Sequence, residues 1–151
     1  MRPHEALLQF WLEAGNGIDT PHASEAEVAK LEVHFGVRFP EDFRDYLLNA
    51  APRLGESMDK NLTTWWDISR IASEQAINSQ PIAIDGDPAN PHKYLIFADY
   101  MIWCWAWAIA CGDTDQRGKI MVLGDSPGIV ADNFATFVDF RIEDIDSLGP
   151  A

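Results

Sequence analysis

The stretch from Ser24 to Leu48, SEAEVAKLEVHFGVRFPEDFRDYLL, constrains this chain more than any other, because 25 residues specify two helices and the joint between them. Ser24 is a helix N-cap residue, and Glu27 stands three positions on, where its carboxylate reaches back to the Ser24 amide. Val28, Leu31 and Phe35 recur at helical spacing on one side, leaving Glu25, Lys30 and Glu32 wet. Gly36 then falls where a left-handed C′ residue is wanted. Val37-Arg38-Phe39 reads as a short extended connector, and Pro40 suits the first turn of the next helix because the N–H it lacks would have no partner there. Glu41 and Asp42 face the positive end of that helix's dipole. Phe39, Phe43, Tyr46, Leu47 and Ala50 line its inner side, so two apolar stripes are expected to meet in one core.

These residues carry a resemblance. The order Ser24-Glu25-x-Glu27-Val28-x-x-Leu31-Glu32, then Gly36-Val37, then Pro40-Glu41-Asp42-Phe43 and Tyr46-Leu47-Leu48-Asn49, resembles the signature of the SUKH superfamily. That is the cell-wall assembly regulator family, which also includes many bacterial immunity proteins against toxins. Phe97-Ala98-Asp99-Tyr100 is similar to the family's Phe-Gly-Asp strand start, with Ala98 in place of Gly. Val130 to Phe137 is similar to its closing helix. Asn49 is followed by Ala50-Ala51-Pro52 where the family has Gly. The resemblance spans Ser24 to Asp144 and implies one SUKH-like domain: an N-terminal helix and loop at 1–23, a core at 24–144 and a tail at 145–151.

Elsewhere the pattern is plainer. Pro3 to Ala14 is an amphipathic helix with Leu7, Phe10, Trp11 and Ala14 inward, ended by Gly15-Asn16-Gly17. Arg53 to Leu62 reads as a loop, Thr63 to Ile68 as a short strand, Ser69 to Ile77 as one or two helical turns, and Pro81 to Ile84 as a strand. Tyr94 to Phe97 and Tyr100 to Cys111 are the expected central strands. A turn at Asp113 to Gly118 leads to a strand at Lys119 to Leu123, and Gly124 to Gly128 is a further turn. Asp132 is the expected cap of a last helix carrying Phe134, Phe137, Val138 and Phe140 or Arg141. Helices first, then strands, then a helix argue for an α+β fold with a mixed or antiparallel sheet.

Composition narrows the function. A chain of 151 residues that is 47% hydrophobic can fold without metal or disulfide. The longest uncharged apolar run, Met101 to Gly112, is 12 residues, too short for a membrane span. Met1-Arg2-Pro3-His4-Glu5 lacks a secretory pattern, and Cys104 and Cys111 read as reduced thiols of a cytoplasmic protein. The formal charge is −13, and the 80 residues from Ala72 onward hold 12 acids against 4 bases. Such a field repels nucleic acid and attracts basic partners.

In Met101 to Ala110 large side chains alternate with small ones. Met101, Trp103, Trp105, Trp107 and Ile109 share one face, and the small face is expected to receive a helix. The large face is core, a surface for a partner or a second copy of the chain, or a stacking pocket. The carboxylate pairs Asp85/Asp87 and Asp113/Asp115 suit turns or partner contacts better than a cation or acid–base pair, since neither has further oxygen ligands at fixed intervals. His4, His22, His34 and His92 lack metal spacing, and the two cysteines lack a CxxC pattern or a neighbouring His. Ser126, in Gly124-Asp125-Ser126-Pro127-Gly128, is followed by no His and completes no hydrolase triad. No metal, cofactor or enzymatic activity is expected.

The resemblance therefore implies a non-catalytic binding protein, in its immunity branch one that occludes a cognate toxin, with a basic nuclease the target best matched by charge. In the other branch it is a regulatory or scaffolding module without a toxin. The expected partner contacts are Asp85, Asp87, Asp99, Tyr100, Asp113, Asp115 and one exposed tryptophan, Trp103.

Overall fold

A computed structural model describes residues 2–13, 23–52, 57–59, 61–71, 92–101, 104–123 and 128–143. Three helices come first: α1 (Pro3–Glu13), α2 (Glu25–Phe35) and α3 (Glu41–Asn49). Six strands follow: β1 (Ser57–Met58), β2 (Thr63–Trp65), β3 (Tyr94–Tyr100), β4 (Trp105–Ala110), β5 (Ile120–Leu123) and β6 (Gly128–Ala131). Helix α4 (Phe134–Glu143) closes the described fold. The strands form one sheet in sequence order, each antiparallel to the next, so the fold is α+β.

The helical joint forms as its residues dictate. Both halves of the capping box are present: the Ser24 hydroxyl accepts from the Glu27 amide at 3.1 Å, and Glu27 accepts from the Ser24 amide at 3.1 Å. Gly36 takes the left-handed conformation at φ 65°, and the Val37 amide donates back to the Glu32 carbonyl at 2.9 Å. Glu32 is not wet as expected. Its carboxylate accepts from the Phe39 amide at 2.8 Å and lies 3.6 Å from the Arg44 Nε, which ties α2 to the connector and to α3. Val28, Leu31, Phe43, Tyr46 and Leu47 are buried in one core, with Phe35 half-buried against it.

That core lies on the large-residue face of the sheet. Trp65 meets Trp11 of α1 at 5.4 Å and Tyr46 of α3 at 5.7 Å, while Phe97 meets Phe43 at 5.5 Å. Trp107 meets Phe137 of α4 at 5.4 Å. The expectation that a helix would lie on the alanine face is thus reversed for the helices α1, α3 and α4. Aromatic rings from helix and sheet interdigitate and fill the space that small side chains would leave empty. Ala106, Ala108 and Ala110 on the opposite face are buried as well.

Four expectations about elements change. Tyr100 belongs to β3 and pairs with Trp105, so the stretch expected to be one strand from Tyr100 to Cys111 is broken after Tyr100: Met101 adopts φ 47° and the Cys104 amide donates back to the Tyr100 carbonyl at 2.9 Å. No Gly or Pro marks that break, which is why it reads as strand. A β-strand at Ser57–Met58 sits inside the stretch read as loop, and Gly128–Ala131 is a strand where a turn and helix start were read. Both are edge strands, without the alternation that betrays a central one. Asn133, rather than Asp132, caps α4: its Oδ1 accepts from the Thr136 amide at 2.8 Å, and Asp42 of α3 accepts from the Ala135 amide at 3.1 Å. A helical turn occupies 68–71, and the strand read at Pro81–Ile84 lies outside the described residues.

Candidate functional site

The turn between β4 and β5 presents Asp113 and Asp115 to solvent. Its backbone is pinned from several sides. The amides of Cys111 and Gly112 donate to the His92 carbonyl at 3.1 and 2.8 Å, and the Gly118 amide donates to the Ala110 carbonyl at 2.8 Å. Thr114 Oγ1 lies 2.7 Å from His92 Nδ1 and accepts from the Gln116 amide at 3.2 Å. Arg117 Nη1 donates to the carbonyls of Arg38 and Cys111. Gly118, at φ 89°, takes the left-handed residue the turn needs. Two carboxylates thus project from a held backbone, which reduces the ordering cost when a partner binds.

The other expected contacts divide. Tyr100 is half-buried and stacks on Trp105 at 4.5 Å and 19°, with the Trp105 Nε1 buried and unbonded. Asp99, expected among the surface acids, is an interior group at 2% exposure. It accepts from Trp66 Nε1 at 2.7 Å and lies 3.6 Å from Arg70 Nη1, whose guanidinium covers the Trp66 ring at 3.9 Å. The reason is register: Asp99 stands opposite Thr64 and Ala106 in the middle of three strands, one residue before the strand ends rather than beyond it. Asp85, Asp87 and Trp103 lie outside the described residues. Trp107 is core, with no exposed surface.

A second polar pair escaped the sequence reading. Arg141 is wholly buried beside Asp59, Nη2 to Oδ1 at 3.1 Å, and also donates to the Asn61 carbonyl at 3.2 Å. Asp59 accepts in addition from the amides of Asn61 and Thr63 and from Trp65 Nε1. Burial lowers the Arg141 pKa to about 10 against the opposing pull of Asp59. Removal of the two charges from water is tolerable because each finds its partner there. Arg141 is one of the residues expected on the inner side of the last helix, but nothing in the sequence ties it to Asp59, 82 residues away.

The two thiols differ. Cys104 is exposed in the β3–β4 turn, whereas Cys111 is buried, and burial pushes its thiol up despite the nearby Arg117. Among the described residues no group of three or more His, Cys, Asp or Glu is arranged to hold a metal ion, and no helix is long and apolar enough to cross a membrane.

Fold and site together define a small α+β domain in which α1, α3 and α4 cover the aromatic face of an antiparallel meander and the capped helix α2 packs on α3. The SMI1 / KNR4 family (SUKH-1) matches residues 22–139, and the chain belongs to that family. The match overlaps nearly all of the segment whose motifs resemble the SUKH superfamily. No curated protein matches the chain.

Proposed function

We propose that this SUKH-domain protein is a non-catalytic immunity protein, acting in the cytoplasm, that neutralises a cognate toxin by occluding its active surface. One observation carries the reading: Asp113 and Asp115 stand exposed on a hydrogen-bonded turn in a chain of net charge −13. Complementary charge of this kind speeds encounter with a basic face, toward roughly 10⁸ M⁻¹s⁻¹, and the buried aromatics of an interface then set the dissociation rate. A nuclease is basic where it holds phosphates, so its substrate face is the target these carboxylates suit. Asp85, Asp87, Trp103 and the half-buried Tyr100 complete the proposed contact set.

Family membership supports the class of binding domain. It equally supports a regulatory or scaffolding module of the cell-wall branch, so the test separates the two. The chain is co-expressed with the product of the adjacent gene and the pair is purified together. A stable complex that suppresses the neighbour's toxicity is expected. A neighbour that is harmless alone, or toxicity undiminished by the chain, contradicts the immunity role.

A further inference from the structure

We propose that the hollow between α2 and the β4–β5 turn is a second recognition site, which takes an acidic side chain from an aliphatic segment of the protein partner. The inference rests on the protein-binding reading above. In a chain with 24 acids and 11 Lys plus Arg, this hollow of about 870 Å³ is lined by Arg38, Lys93 and Arg117 against only Glu32 and Asp113. It adjoins a smaller hollow of about 550 Å³ through Glu32, Arg38 and Arg117, where Arg44 adds a cation and Glu41 an acid. Cations thus outnumber acids in both hollows, the reverse of the chain as a whole.

Of the two acids in the larger hollow, Glu32 is less available than the count implies, while Asp113 is exposed. Glu32 is engaged by the Phe39 amide at 2.8 Å and by Arg44 at 3.6 Å. The walls are held in place by the cations themselves. Lys93 Nζ donates to the Gly36 carbonyl at 3.1 Å, closing the end of α2, and Arg117 bonds the Arg38 and Cys111 carbonyls. Arg38 differs: its backbone carbonyl is used, while its exposed guanidinium has no partner among the described residues. A free guanidinium beside two anchored cations is suited to bidentate capture of a carboxylate.

The apolar part of the lining fixes the rest of the ligand. Ala29, Val33 and Val37 lie along the α2 side, and Val33 is 82% exposed, the most exposed large apolar side chain described. A carboxylate flanked by aliphatic side chains satisfies both halves of the hollow. At ordinary salt the fields of distant charges fade within about 8–10 Å, so the hollow attracts an acid locally although the chain as a whole repels one. The consequence is specificity: a partner must be basic where it meets Asp113 and Asp115, and must present one acid at this spot.

The test uses the ¹⁵N-labelled full chain and needs no toxin, so it stands or falls separately from the co-purification. The chain is titrated with acetyl-Leu-Glu-Leu-Glu-Leu-amide, with the corresponding Lys peptide, and with inorganic phosphate. Saturable amide shifts at Gly36, Arg38, Gly112 and Arg117 are expected with the acidic peptide alone. Arg38→Glu weakens that binding at least tenfold, and Lys93→Gln, which keeps a donor for the Gly36 carbonyl, weakens it about threefold. An equal response to the Lys peptide, no localised shifts, or indifference to Arg38→Glu overturns the proposal. Phosphate binding as tightly as the acidic peptide at the same amides also overturns it, in favour of a small-anion site.

Discussion

The buried interior of the molecule and the β4–β5 turn use charged residues in opposite ways. Inside, Asp59 and Arg141 are locked to each other and to neighbouring backbone, and Asp99 is tied to Trp66 and Arg70, so each charge is committed to the fold. Outside, Asp113 and Asp115 stand on a turn whose shape depends on backbone amides, Thr114 and Arg117, and not on the two carboxylates. The fold therefore constrains the first set, while the second is free to be set by recognition. Asp99 and Asp113 are the same residue type with opposite roles, and position in the hydrogen-bond network decides which.

The contrast breaks most readily from the inside. Asp59→Ala leaves Arg141 as an unpaired buried charge and orphans Trp65 Nε1, so urea unfolding is expected to show a loss of about 3–5 kcal/mol. A double-mutant cycle with Arg141→Met should recover part of that loss; strict additivity would mean the pair is not coupled. Trp107→Ala opens a cavity against Phe137 and is expected to cost about 3–5 kcal/mol, whereas Trp105→Ala, at a half-buried position, should cost about 1–2 kcal/mol. Equal losses would erase the difference between core and rim. Ser24→Ala removes one half of the capping box, for about 1 kcal/mol in the same assay.

Burial also predicts an alkaline limit. Cys111 and Tyr46 are both pushed up by burial from ordinary values of 9.0 and 10.0, so the folded protein keeps their protons where the unfolded chain has released them. Proton release then favours the unfolded state, and stability should decline as pH rises through about 9 and again near 10. Cys111→Ala is expected to remove the earlier part of the decline. In the native protein a thiol reagent should label Cys104 promptly and Cys111 only at the rate of unfolding.

How far the chain could be read in advance follows from where its constraints are local. Ser24, Glu27, Gly36 and Pro40 act within a few residues of themselves, and α2, its cap and α3 appear as those residues require. The β3–β4 hairpin depends on Met101 entering a left-handed conformation that a methionine seldom adopts, and no neighbouring residue announces it. Asp99 departs from expectation through the same displacement: the turn falls beyond it, leaving it buried between β2 and β4. The Asp59–Arg141 pair joins residues 82 apart, and the basic hollow gathers Arg38, Lys93 and Arg117 from three separate segments. Contacts of that range are set by topology, which single-residue patterns do not encode. Asp113 and Asp115 were legible because turn chemistry is local.

The smallest effect on stability belongs to the residues with the largest proposed effect on binding. Asp113→Lys and Asp115→Lys together are expected to change unfolding free energy by no more than about 0.5 kcal/mol. The most direct measurement is therefore the association rate between the co-purified neighbour and the chain at low salt, wild type against this double variant. At least a tenfold slower association, with an unchanged unfolding midpoint, is the predicted result. An association rate unaffected by reversing both charges would contradict the account.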